Sequence, residues 1–251
     1  MTYQLEQDWF TEVAAGRIAG WSVVHKFGRN DALGTTEETV WLAGGTYVWR
    51  ASAGKVNVTS TSAADATAGA GAQTITLAGL DATFAEISEE LTLNGTNAVK
   101  GVNDYVRIHR AFCTRVGAYS GANSGTISCA WSVSPTTAFT FVPGHGQSQV
   151  AFYTVPLGKE AFIHSVSINV AATTNRFVDL KLYQRPNADD VTTPFEGSRI
   201  VLEFDGLQGN VGFKPKTPLW FQPKTDLWWA GAASAGTPAV SVDFEILLHD
   251  V

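Results

Sequence analysis

Three carboxylates crowd one short run of the chain, Glu86, Glu89 and Glu90 in GLDATFAEISEELTLNGT, residues 79–96. Paired carboxylates are the equipment of glycosidic-bond hydrolysis, where they stand about 5–9 Å apart across a cleft. On a strand, Glu86 and Glu90 share a face but lie too far apart to share a proton. No histidine or aspartate motif accompanies them. The run reads as a solvated or interface face carrying Phe84, Glu86, Ser88, Glu90 and Thr92.

The other reactive side chains are as sparsely organised. His25, His109, His145, His164 and His249 show neither HxH nor HExxH spacing. His109 falls inside an alternating run and is expected as a paired surface or half-buried residue. Cys113 and Cys129 lie symmetrically about Gly121. A hairpin would set them opposite each other, a placement that fits disulfide geometry poorly, so two small buried thiols are expected. GAGAQT (69–74) lacks the Gly-Lys-Ser/Thr of a phosphate loop, and GQS (146–148) lacks the second glycine of a nucleophile elbow. Asp189-Asp190 lacks the ladder of oxygen ligands of a calcium loop. Residue chemistry assigns no catalytic, cofactor-binding or metal-binding residue.

The tryptophans carry more weight. There are eight, and Trp228 and Trp229 are adjacent. Adjacent strand residues face opposite sides. One ring can enter a core, and the other must meet solvent, a ligand, another chain or a neighbouring domain. Trp228 and Trp229 are therefore the interface candidates.

The elements that hold these side chains read as strands throughout. Short β-prone runs recur at 21–27, 45–51, 55–60, 73–78, 105–116, 125–133, 149–155, 160–170, 176–183, 199–204, 226–232 and 239–248, broken by Gly, Asn, Asp and Pro. Such spacing predicts an all-β fold, a sandwich or a barrel, with an antiparallel β-sandwich of jelly-roll-like type expected. Residues 79–96 alone fit a helix or a strand. The preceding TITL, the following Asn-Gly and Thr92 select a strand over 84–93, paired with 73–77 through a turn at 78–81. The Pro- and Gly-bearing segment 134–149 reads as a crossing between two β-domains, 1–142 with an extended N-terminal segment and 143–251. Residues 62–73 read as a long loop.

With 251 residues the chain can bury a full core as one large domain or two. Its apolar share is 45 %, but its charged share of 16 % is below the usual quarter. A net charge of −6 argues against a nucleic-acid partner, which requires a basic face. No apolar run is long enough to span a bilayer. The polar start MTYQLEQDWF is not a signal peptide, so cytosolic synthesis and no membrane partner are expected.

Five phrases in order resemble a family of virion structural proteins from tailed bacteriophages, many of them aquatic. They are WSVVHKFGRNDALGTTEETVW (21–41), TSTSAADATAGAGAQTITLAGLDATFAEISEELTLNGT (59–96), RAFCTRVGAYSGANSGTI (110–127), YTVPLGKEAFI (153–163) and PKTDLWW (223–229). The resemblance runs from about Trp9 to the end. The Trp228-Trp229 pair is not part of the family pattern, and the family offers no catalytic residues. The resemblance implies all-β, non-enzymatic material of a capsid or its tail junction, made in the host bacterial cytoplasm. The expected role is a capsid decoration or cement protein that bridges phage major capsid subunits and self-associates, with a homo-trimer fitting local capsid symmetry. A head–tail, tail or head-fibre component, or a carbohydrate-binding receptor module on a spike, is the alternative.

Overall fold

The structure is a computed structural model, and it describes residues 8–171 and 176–251. The first seven residues of the polar start lie outside the described residues. A single-turn helix α1 (Trp9–Ala14) precedes β1 (Trp21–Asn30), β2 (Glu38–Thr39), β3 (Val56–Ser60), β4 (Ala72–Leu80), β5 (Glu86–Thr92) and β6 (Val99–Lys100). Then follow β7 (Arg107–Val116), β8 (Ile127–Trp131), β9 (Thr137–Phe141), β10 (Phe152–Thr154), β11 (Lys159–Ala171) and β12 (Val178–Arg185). The chain closes with β13 (Arg199–Leu207), β14 (Gly209–Phe213), β15 (Leu219–Phe221), β16 (Asp226–Ala233) and β17 (Ala239–Asp250). The fold is all-β and every strand pair is antiparallel.

Four sheets stack into layers. The first has the order β1-β17-β11-β14, with β15 also on β11, and the second has the order β10-β16-β12-β13, with β2 on β16. The third is β6-β3-β8-β9 and the fourth β5-β4-β7. One core lies between the first two sheets, where Ile163, Ile168, Phe244 and Ile246 meet Leu180, Leu182 and Trp229. A second core collects Val58, Ile127 and Phe139 of the third sheet and Ile75, Leu77 and Leu91 of the fourth. Phe152 of β10 is buried in that second core, and Trp228 of β16 packs against it. The β10–β16 ribbon is therefore covered on both faces. A strand buried on both faces reads as a continuous apolar run rather than an alternation, which is what LeuTrpTrpAla at 227–230 displays.

The sheets draw on both sides of residue 142. β1 pairs with β17 along its whole length, from Trp21 opposite His249 to Asn30 opposite Val240. β2 pairs with β16. Gly28 of β1 lies so close to the following layer that a Cβ there would sit 2.1 Å from the Ala151 nitrogen. A division at 142/143 into two folding units is thus a division of chain segments whose strands interleave.

The ambiguous run is a hairpin. β4 and β5 pair with Ile75 opposite Leu91 and Leu80 opposite Glu86. The turn falls later than the expected 78–81 because Asp81 organises it. Its Oδ1 accepts from the Thr83 amide at 2.7 Å, the Thr83 hydroxyl at 2.7 Å and the Ala85 amide at 3.1 Å. Phe84 belongs to this turn, with φ of 68°, and is buried beside Leu80 and Val106 rather than on the wet strand face.

Other expectations need correction. Residues 45–51 form no strand; Tyr47 and Trp49 serve the second core as side chains, without ladder bonds. Segment 134–149, read as a crossing, contains β9, which pairs with β8. β14 (Gly209–Phe213) falls outside the expected runs. Cys113 and Cys129 are not hairpin neighbours, because β7 pairs with β4 while β8 pairs with β3 and β9. Both are free thiols. Burial raises Cys113 to about 11 and Cys129 well above its ordinary value, so neither presents the thiolate that reactions need.

The long loop 62–73 hides an organising residue. Asp65 is fully buried. Its carboxylate accepts from the Ser60 hydroxyl at 2.5 Å and from the amides of Ala72, Ser124 and Gly125 at 2.8, 2.8 and 2.9 Å. It thereby ties the end of β3, the start of β4 and the approach to β8. Asp65→Ala leaves three amides unpaired, each worth about 1–3 kcal/mol. Urea unfolding should show a loss of roughly 3 kcal/mol or more, and a loss below about 1 kcal/mol would contradict this role.

Candidate functional site

The second and fourth sheets are joined by an ion pair. Arg107 opens β7 and Asp226 opens β16, and their side chains are 2 % and 0 % exposed. Arg107 donates through Nε to Asp226 Oδ1 and through Nη2 to Oδ2, both at 2.9 Å. Thr154 at the end of β10 adds its hydroxyl to Oδ1 at 2.7 Å, and Arg185 at the end of β12 adds Nη2 to Oδ2 at 2.8 Å. Arg107 Nη1 donates to the carbonyls of Arg50 and Val106, and its guanidinium lies over the rings of Trp49 and Phe84. Buried charge costs several kcal/mol per ion unless its hydrogen bonds are met. Here Asp226 has four donors and Arg107 four acceptor contacts.

Beside this joint opens a cleft of about 390 Å³ between β1 and β10 on one side and β4, β5 and β7 on the other. Lys26 reaches into its wall, 5 % exposed, and donates Nζ to the His109 carbonyl. Burial, then the Arg110 charge, lowers Lys26 to about 7. His109 is 8 % exposed, more buried than its alternating run suggested. Its ring stacks on Tyr153 at 4.8 Å, and Nδ1 has no partner. Burial, then Lys26 and Arg107, lowers His109 to about 3. Tyr153 is pushed up by burial, with a further contribution from Glu86. Nothing in the spacing of the sequence joined Lys26 to His109, which are 83 residues apart. The signal available was a lone Lys on the inward side of a strand pattern.

The expected interface residues separate. Trp229 is fully buried in the first core. Trp228 stacks on Tyr183 at 5.2 Å and packs against Trp49 at 5.4 Å, on the side of the second core. The carboxylates also separate. Glu86 and Glu90 are exposed, while Glu89 accepts from the Val102 amide at 2.8 Å and holds the loop after β6. Another aromatic group lies on the outer face of the first sheet. Trp21 stacks on His249 at 4.3 Å and meets Phe162 and Trp9. Trp220 donates Nε1 to Glu160 at 2.6 Å, and the same carboxylate contacts His249 Nδ1 at 2.9 Å. These bonds hold Glu160 below its ordinary range. His164 stacks on Phe10 of α1.

No family model and no curated protein matches the sequence. Among solved structures, the infectious bursal disease virus Gx strain aligns at 9 % identity over 91 % of this chain and 72 % of that one, with a TM-score of 0.25. The VP2 subviral particle of infectious bursal disease virus aligns at 8 % identity over 92 % and 77 %, with a TM-score of 0.22. Alignments at this level do not establish a common fold.

The cleft makes stability depend on pH. Lys26 sits at about 7 in the folded protein against 10.5 ordinarily, so between those values the unfolded chain holds a proton that the folded chain lacks. Stability therefore rises with pH across this window. His109, at about 3 against 6.5, has the same sign, and its contribution is lost as pH falls from 6.5 toward 3. The charged neighbours are Arg110 of β7, Glu86 of β5 and His25 on Lys26's own strand. Between pH 6.5 and 8.5 wild type should gain about 2 kcal/mol relative to Lys26→Met in urea unfolding. Parallel pH profiles for the two proteins would contradict the buried-amine account.

Proposed function

We propose that the chain is a non-enzymatic structural protein of a tailed-bacteriophage virion, specifically a capsid decoration or cement protein that bridges major capsid subunits. The observation that carries this reading is where the unspent surface chemistry lies. The buried Arg107, Asp226 and Asp65 are consumed in internal joints. On the outer face of the first sheet, Trp9 and Trp220 remain 45 % and 55 % exposed around the Trp21 stack. Large apolar rings in one exposed group suit a surface covered on assembly. The ordered sequence resemblance from Trp9 to the end supports the same class. The described residues contain no helix long and apolar enough to cross a membrane, and the acidic balance disfavours nucleic acid as partner. Self-association as a trimer fits the local symmetry of a shell. In this reading 1–142 and 143–251 act as two β-domains, and of the two adjacent rings Trp228 serves the contact between them, against Trp49, while Trp229 stays in the first core.

One observation favours a second reading, a carbohydrate-binding module. The exposed Trp220 indole lies beside the Glu160 carboxylate, a flat ring with an acceptor at its edge, as sugar platforms have.

Purified protein should co-sediment with capsids stripped of it. The Trp9→Ser/Trp220→Ser double variant should bind at least about tenfold more weakly while retaining its melting temperature. Absence of the chain from purified particles would overturn the virion reading. Capsid binding unaffected by the variant, with saturable binding to a glycan array, would move the assignment to the second reading.

A further inference from the structure

We propose that the cleft between the first and fourth sheets binds a small organic anion, a monocarboxylate with a flat apolar body. Lys26 and Arg110 would take its carboxylate, and Val24 and Ile87 its ring. At about 390 Å³ the cleft lies within the usual range of ligand sites. It also sits where such sites concentrate, between packed layers.

Four observations carry the proposal. First, two cations border one cavity, and neither has a carboxylate partner among the described residues. Lys26 Nζ has three donors when protonated and one protein acceptor, the His109 carbonyl. Among the described residues Arg110 donates to Gln147 Oε1, at 3.5 Å, and its guanidinium lies over the Phe112 ring. Second, His109 Nδ1 is buried in the cleft wall without a partner, and an unmet buried polar atom costs about 1–3 kcal/mol. In the tautomer protonated at Nδ1 it is a further donor to a carboxylate. Third, Val24 and Ile87 supply an apolar surface beside these donors. Fourth, burial, and after it the Arg110 charge, weakens protonation of Lys26. A buried amine beside a second cation lacks a counter-charge, and an arriving anion would restore the proton.

Among the described residues, Glu86 is the one carboxylate lining the cleft. It makes no ion pair with either cation, and its charge opposes the ligand. The walls come from β1 and β10 on one side and β4, β5 and β7 on the other. A bound anion would bridge the first and fourth sheets, which Lys26 already joins through the His109 carbonyl, and would raise the melting temperature.

Benzoate titrated calorimetrically into the full chain tests this, at pH 8 in two buffers of different ionisation enthalpy. The expected result is one saturable site with proton uptake, and affinity that falls as pH rises from about 7 to 9. Lys26→Met should weaken binding at least about tenfold, and Arg110→Gln at least about threefold. Arg110 is exposed, so its variant keeps the test meaningful if the Lys26 variant fails to fold. Glu86→Gln should tighten binding by about twofold or more. Benzyl alcohol, which has the ring without the charge, and inorganic phosphate, which has charge without the ring, should each bind at least about tenfold more weakly than benzoate. The proposal is overturned by no saturation at about 10 mM benzoate, by binding without proton uptake, by affinity unchanged in Arg110→Gln, or by either control binding as well as benzoate.

Discussion

The molecule is organised around a charge placed where charge is most expensive. Asp226 is fully buried at the first residue of β16, and Arg107 answers it with two parallel hydrogen bonds of 2.9 Å from the first residue of β7. Bidentate guanidinium–carboxylate geometry fixes relative orientation as well as distance. Because the partners open strands of different sheets, the pair sets how the second and fourth sheets face each other. Thr154 and Arg185 make it a node where four strands meet. Breaking such a pair is costly because the remaining charge is left without compensation.

The rest of the central architecture follows from that joint. Once β16 is fixed against the fourth sheet, its two faces enter two cores, and adjacent tryptophans become a requirement. Trp229 fills the first core, while Trp228 closes the aromatic column of Tyr183, Trp49, Tyr47 and Phe152 beside the second. The same docking brings β1 over β7, which places Lys26 against His109. The cleft opens where these sheets meet, lined by polar groups of β1, β5 and β7. Burial lowers Lys26 and His109 there, whereas the buried Arg107 and Asp226 face each other directly.

Much of this was legible in the sequence. The all-β class followed from the recurrence of short β-prone runs, and the hairpin at 72–92 from its neighbours rather than its own ambiguous periodicity. The opposite destinations of Trp228 and Trp229 followed from strand geometry. What the sequence did not disclose was long-range. β1 pairs with the last strand, more than 200 residues away. The partners Arg107 and Asp226 are 119 residues apart, and each looks like an ordinary strand-end charge. Asp65 sat in a stretch of small residues typical of a surface loop, and only the converging amides of Ser124 and Gly125 reveal its burial. Residues 45–51 misled for the converse reason, since their aromatics are chosen for the core while the backbone bonds elsewhere or not at all.

A double-mutant cycle on Arg107→Met and Asp226→Leu, read by urea unfolding, measures the joint most directly. Each single variant should lose about 3–5 kcal/mol by stranding a buried charge. The double variant should lose less than the sum of the two by about 2 kcal/mol or more, since removing both charges also removes the penalty. Additive losses, agreeing within about 0.5 kcal/mol, would contradict the claim that this pair holds the layers together.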